Sequence, residues 1–225
     1  MQSILRNTDF IFEVKMRFSE EMLASLYERV KGRMSEKRFF HTAEVEKMAA
    51  RLGELYCPDK IDVLRAAALL HDVTKERTSE EHVAILECHG IAVTPDELLA
   101  PKTLHARSAA ALAPDEYPEF ATDEVVSCVR WHTTGRADMT LTEKLIYLAD
   151  YIDMSRKFDD CVRLREFFFS ALPEKMGMDD RLVHLDKTLV LSFDMTVAGL
   201  IEKGAVISMD TICARNELIK NLTSL

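Results

Sequence analysis

Four imidazoles and two carboxylates stand along this chain where they could meet around metal. They are His41, one turn after Arg38, the adjacent pair His71-Asp72, His105, His132 within a His-Thr-Thr-Gly-Arg run, and Asp150 within Leu-Ala-Asp-Tyr-Ile-Asp. Such a donor set can hold two ions side by side with positions left for water and substrate, an arrangement suited to cutting phosphoanhydride or phosphoester bonds. A lone histidine on an apolar helix face is usually a hydrogen-bonded core or surface residue; His82, His89 and His184 take that reading. His71-Asp72 differs because it follows Ala66-Ala67-Ala68-Leu69-Leu70, a run that should be buried. Two polar side chains at the end of a buried helix need partners, since unpaired burial costs several kcal/mol. Asp150 is the sharper anomaly, a carboxylate inside Leu145–Ile152, with Lys144 too far along the helix to pair with it. His132 and Asp150 are 18 residues apart, which fits a helix end, a turn and part of an antiparallel helix.

Cations accompany these residues. Arg136 follows His132 closely, and a guanidinium there could clamp a phosphate bidentately. Lys75 lies three residues after Asp72 and therefore on the same side of that helix, where it could add a second phosphate contact. Both also fit plain surface charge.

The elements that must position these groups are helical. Ser19, with Glu20 and Glu21 in the first turn, opens a helix to about Arg33. Ser35 caps a second, whose apolar residues Val45, Met48, Ala49, Leu52 and Leu55 recur at helical spacing until Pro58. A third runs from about Lys60 to Thr74, and Ser79 opens a fourth that stops at Gly90. Thr94-Pro95-Asp96-Glu97 and Thr140 with Glu143 read as capping boxes. The helix bearing His105 should end before Pro114, and Asp123–His132 is helical up to Gly135. Residues 159–172, 181–203 and 209–222 give three more helical patterns. No alternating strand series occurs, so the fold class expected is all-α. The apolar segment Phe10–Val14 has no clear assignment.

The 225 residues fit one large domain. With 48% hydrophobic and 30% charged residues the chain is an ordinary globular protein, and only 7 Gly and 6 Pro argue for helices over loop-rich β structure. A net charge of −9 disfavours nucleic-acid wrapping but not a small anionic ligand, because ions and local cations can reverse the field inside a pocket. Five scattered cysteines, never in a CxxC pair, read as reduced thiols. No long apolar segment marks the N-terminus, and no apolar run reaches the ~18 residues a bilayer requires, so a cytoplasmic location is expected.

At this level of detail the residues resemble a known family. The order His41, His71-Asp72, Asp150 is that of the HD-domain metal-dependent phosphohydrolases, and His105 with His132 fits members that bind two metals. More narrowly, Arg38-Phe-Phe-His41, Leu70-His71-Asp72-Val-Thr-Lys75, Leu104-His105, Trp131-His132-Thr133-Thr134-Gly-Arg136 and Leu148–Arg156 resemble the YqeK-type symmetrical bis(5'-nucleosyl)-tetraphosphatases, over roughly residues 36–170. The chain departs from the family at Ala106, where glycine is usual, and at Asp153-Met154, where Glu-Pro is usual.

The resemblance implies an HD-domain helical bundle at 35–172, an N-terminal extension at 1–34 packed on it, and C-terminal helices at 173–225 completing the same domain. It implies metal ligation by His41, His71, Asp72, His105, His132 and Asp150, with catalytic roles for Asp72, Lys75 and Arg136. Substrate contacts would come from Lys75, Thr133, Thr134, Arg136 and Arg156. Two ions are expected; the resemblance implies iron, while the nitrogen and oxygen donors suit manganese or zinc equally. A water between two cations becomes hydroxide near neutral pH and would cut diadenosine tetraphosphate centrally into two ADP. The alternative is an HD-domain phosphohydrolase of other nucleotides or phosphoesters. The expected partner is a small-molecule nucleotide, with neither nucleic acid nor membrane, and a homodimer is allowed.

Overall fold

The computed structural model describes residues 17–224; the Phe10–Val14 segment lies outside them. Among the described residues there are eleven α-helices and no strand. They are α1 (Glu20–Lys31), α2 (Glu36–Tyr56), α3 (Ile61–Leu70), α4 (Ser79–Cys88), α5 (Pro95–Leu98), α6 (Leu104–Glu116), α7 (Asp123–Trp131), α8 (Leu141–Ile152), α9 (Asp159–Ser170), α10 (Met178–Glu202) and α11 (Met209–Thr223).

The starts are built from local polar chemistry. The hydroxyls of Ser19, Ser35 and Thr122 accept from backbone N–H groups of the first turns of α1, α2 and α7. Reciprocal capping boxes pair Thr78 with Glu81, Thr94 with Glu97 and Thr140 with Glu143, each satisfying donors that a helix start leaves over. One expected stop does not hold: α6 runs through Pro114 to Glu116. The proline sits in the last turn, where the missing N–H removes one bond, and the Tyr117 N–H still closes onto the Ala113 carbonyl at 2.8 Å.

Helix α3 is the axis of the molecule. Val63, Leu64 and Ala66–Leu70 are all buried, and α1, α2, α7 and α8 pack around it. Each fully buried leucine contributes about 1.5–3 kcal/mol, while the alanines let neighbouring helices approach closely. Gly53 on α2 shows how closely: a Cβ there would lie 2.9 Å from the Ile61 side chain and 3.0 Å from that of Leu64. At the N-terminal side, the buried Asp62 accepts from the backbone N–H of Phe18 at 2.7 Å, holding the segment before α1 against α3. Leu23, Leu26 and Val30 then bury the inner face of α1. Helix α10 packs on α9 and α11 and reaches α2 and α8, contributing Leu185, Leu189 and Phe193 to the same core.

Candidate metal centre

Five helices deliver the six candidate ligands to one buried spot. His41 lies in the second turn of α2, His71 caps the C-terminus of α3 with Asp72 next in the chain, His105 is in the first turn of α6, His132 caps α7, and Asp150 is in the last turn of α8. Burial of α3 forces the arrangement, because its core residues run without a break into the His71-Asp72 dipeptide, itself buried.

Asp72 is the centre of the geometry. Its Oδ2 lies 3.4 Å from His71 Nε2 and 3.8 Å from His41 Nε2. Its Oδ1 lies 3.2 Å from His105 Nε2 and 3.7 Å from His132 Nε2. The two oxygens of one carboxylate therefore face two different histidine pairs. Asp150 Oδ1 completes the first side, 3.0 Å from His41 Nε2 and 3.7 Å from His71 Nε2. Two groups of donor atoms, each within 4.8 Å of one another, result: His41, His71 and Asp150, and His71, Asp72 and His132.

Three of the four histidines are presented in one form. Nδ1 of His71, His105 and His132 donates to the backbone carbonyl three residues earlier, of Ala68, Lys102 and Val129, at 2.6, 2.7 and 2.7 Å. That bond places the proton on Nδ1 and leaves the Nε2 lone pair facing the centre. His105 Nε2 and His132 Nε2 are 3.0 Å apart. Two lone pairs at that distance repel unless a positive charge lies against them. His41 Nε2, His71 Nε2 and Asp72 Oδ1 are buried without a hydrogen-bond partner. Orphaned acceptors converging from several helices fit a cation.

Charge at the site leads to the same requirement. Burial pushes His105 down to about 4 and also lowers His132, so both rings are neutral at pH 7. Burial would raise Asp72, but the neighbouring His71 and the imidazoles around it hold its carboxyl well below the usual range. Asp150 is likewise held low against its burial, chiefly by Arg156. His41 is the exception: burial opposes its charge, yet Asp150 and Asp153 push it up to about 9. The space between His41 Nε2 and Asp150 thus favours a positive charge strongly enough to retain a proton there when nothing else supplies one.

The cations form an outer layer. Arg38 Nη1 donates to Asp72 Oδ2 at 2.7 Å. Arg156 donates to Asp150 Oδ1, and Lys144, as expected, is engaged elsewhere, on Asp186. Lys75 Nζ is 3.0 Å from His105 Nε2 and 3.9 Å from Asp72 Oδ1, and burial lowers its pKa. A cleft of about 720 Å³ opens over this layer, lined by Lys37, Arg38, His41, Lys75, Arg156, Lys157 and Phe158 among others. A smaller cleft of about 220 Å³ shares Lys75 with it and is lined also by Arg77, Lys102 and His105.

The six ligand positions and Lys75 and Arg156 thus come together; Thr133 joins them, its hydroxyl 3.0 Å from His132 Nε2. Arg136 does not. Its guanidinium lies 3.1 and 3.2 Å from Glu143 Oε1 and bonds the Ala137 carbonyl, because the buried Glu143 at the start of α8 needs a counter-charge. Thr134 is buried with its hydroxyl on the Gly135 carbonyl and lines a different cavity, with Arg107 and Arg130. His82, His89 and His184 are hydrogen-bonded to Ser108, to Ile85 and Asp115, and to the Phe168 carbonyl, away from the centre.

The model of the HD domain matches residues 38–155, which span all six of these side chains. The chain belongs to the HD-domain family. Symmetrical bis(5'-nucleosyl)-tetraphosphatases are among its relatives. That of Bacillus subtilis is 32% identical over 202 residues, covering 89% of this chain and 97% of the relative. That of Halalkalibacterium halodurans is 30% identical, covering 84% and 93%. That of Staphylococcus aureus is 31% identical, covering 83% and 89%. A crystal structure of a predicted HD superfamily hydrolase involved in NAD metabolism from Clostridium acetobutylicum superposes with a TM-score of 0.76 at 30% identity, covering 92% of this chain and all of that one. HD-domain membership and the His/Asp groups agree on divalent metal binding.

Sequence reasoning passed over several contributors. Arg38, three residues before His41 on α2, was legible by the rule that such pairs share a helix face. Asp153 and Ser155, which flank His41 from beyond the end of α8, carried no such signal. Neither did Lys37, Lys157 and Phe158, which reach the cleft only through the fold.

Proposed function

We propose that this protein is a two-metal phosphohydrolase that cleaves dinucleoside tetraphosphates symmetrically, diadenosine tetraphosphate to two ADP. The observation that carries the proposal is the double-sided Asp72, each oxygen facing its own histidine pair. His41, His71 and Asp150 would hold one ion; His71 or Asp72 with His105 and His132 would hold the other. Iron is the metal the resemblance favours. Bound there, the ions supply charge neutralisation at phosphorus and a water of near-neutral pKa as nucleophile.

The chain's own residues do the rest. Three histidines are held with Nε2 facing inward by backbone carbonyls three residues earlier. Arg38 and Arg156 orient Asp72 and Asp150 while remaining part of the cleft wall, where their charge offsets that of a polyphosphate. Lys75 lines both clefts, and the cations that line each suit a substrate with a charged half in each. A bond cut where two such halves meet gives equal products, and the exposed Phe158 at the rim of the larger cleft offers a stacking face to a base. The leaving nucleoside diphosphate, with a phosphate pKa of about 6, departs without a strong general acid.

The test is product analysis. Metal-loaded protein given diadenosine tetraphosphate should yield ADP alone. ATP with AMP would overturn the symmetrical cut, and turnover of mononucleotides or cyclic dinucleotides in its place would favour the broader phosphohydrolase reading.

A further inference from the structure

His41 is presented differently from the other three histidines. Their Nδ1 atoms bond backbone carbonyls three residues earlier in the chain. His41 Nδ1 instead faces Ser155 Oγ at 3.1 Å and Asp153 Oδ2 at 3.4 Å. Asp153 has no solvent exposure. Its Oδ1 accepts from the Ser155 N–H at 2.8 Å and from the Ser155 hydroxyl. Its Oδ2 has no hydrogen-bond partner and lies 3.3 Å from Arg156 Nε.

These contacts determine where one proton goes. The Ser155 hydroxyl hydrogen is committed to Asp153, so only a lone pair of Ser155 Oγ is left for His41. When the ring holds a single proton, Nδ1 must then carry it, and Nε2 presents its lone pair toward Asp150 and Asp72. We infer that Asp153, acting through Ser155, is the positioning residue that makes His41 a metal donor, and that it governs one of the two ion sites only. The inference rests on the two-ion reading above and adds that the sites are built unequally: the imidazoles of the His71, Asp72, His132 group are turned by backbone carbonyls three residues back, whereas His41 in the His41, His71, Asp150 group depends on the segment following α8.

An amide in place of this carboxylate reverses the arrangement. In Asp153→Asn one oxygen becomes an NH2. Facing Ser155, it turns the hydroxyl hydrogen toward His41; facing His41, it donates to Nδ1 directly. Either orientation moves the ring proton to Nε2, the atom needed for the ion. Loss of an outer partner of this kind typically weakens metal affinity ~10–100-fold.

The experiment is a manganese(II) titration of metal-stripped full-length protein, with free ion counted by electron paramagnetic resonance. Wild type should show two bound ions. D153N should show one ion held as before and the second weakened ~10–100-fold. Ser155→Ala, which leaves Asp153 facing Nδ1 directly, should weaken the same ion less. Equal binding in wild type and D153N would overturn the inference and leave the proposed function standing, as would an equal weakening of both ions. A wild-type protein that binds no manganese or a single ion would overturn both. Thermal unfolding of the stripped variants checks the fold, and if D153N does not fold, S155A decides: an unchanged titration overturns the inference, selective weakening of one ion upholds it.

Discussion

The raised pKa of His41 sets a pH dependence that can be worked through. In stripped protein the ring is held at about 9 by Asp150 and Asp153, against 6.5 in an unfolded chain. A histidine whose folded pKa is raised contributes stability fully below 6.5 and loses it as pH rises through 9. At 1.36 kcal/mol per pH unit, that gap corresponds to about 3 kcal/mol between pH 6 and pH 9, an upper bound for a ring coupled to two carboxylates. With a urea m-value of ~2–3 kcal/mol/M the midpoint should fall by about 1 M over that interval. The assay is urea unfolding in the presence of a chelator, followed by circular dichroism at half-unit steps. His105 and His132, both lowered, contribute below this window, and Cys57, raised to about 11 by burial, acts above it. His41→Gln should remove most of the slope, leaving lesser contributions from groups such as His89 and Lys75. Saturating manganese should flatten it too, since an ion replaces the proton. A wild-type profile already flat between pH 6 and 9, or a slope that survives undiminished in H41Q, would refute the reasoning.

Other consequences are simpler to measure. Asp72→Ala removes the carboxylate shared by both histidine pairs; turnover should fall more than ~100-fold and bound metal should be lost, read by elemental analysis. Arg38→Ala removes a charge-assisted bond of ~1.5–3 kcal/mol, so kcat/KM should fall ~10–100-fold in steady-state assays at saturating metal. Arg136→Ala should act on folding instead: it leaves the buried Glu143 without its counter-charge and should cost roughly 1–3 kcal/mol in urea unfolding, with a smaller loss of kcat/KM than R38A.

Much of this arrangement was legible in the residues before any coordinates. Helix starts were readable because Ser35, Thr94 and Thr140 signal them chemically within four residues, and the all-apolar α3 announced that His71-Asp72 would be buried. The ligands were readable as misplaced polar groups. Arg136 lies 6.0 Å from the Trp131 ring centroid with its guanidinium on Glu143, a pairing that closeness to His132 in the chain does not report. Asp150 was expected to need a cation, and its cation in the structure is Arg156, six residues on, beyond the helix end where periodicity no longer locates side chains. The Asp153–Ser155 contact with His41 spans more than a hundred residues of chain, and no local rule reports a pair so distant.

Ring orientation for three of the four histidines is fixed by the backbone carbonyl three residues back in the chain. Loops can therefore lengthen, shorten or change composition beyond those short stretches over evolutionary time without rotating an imidazole. The joint between the second and eighth helices has no such freedom, and drift in the residues after Ile152 should register first as a change in which metal the protein prefers.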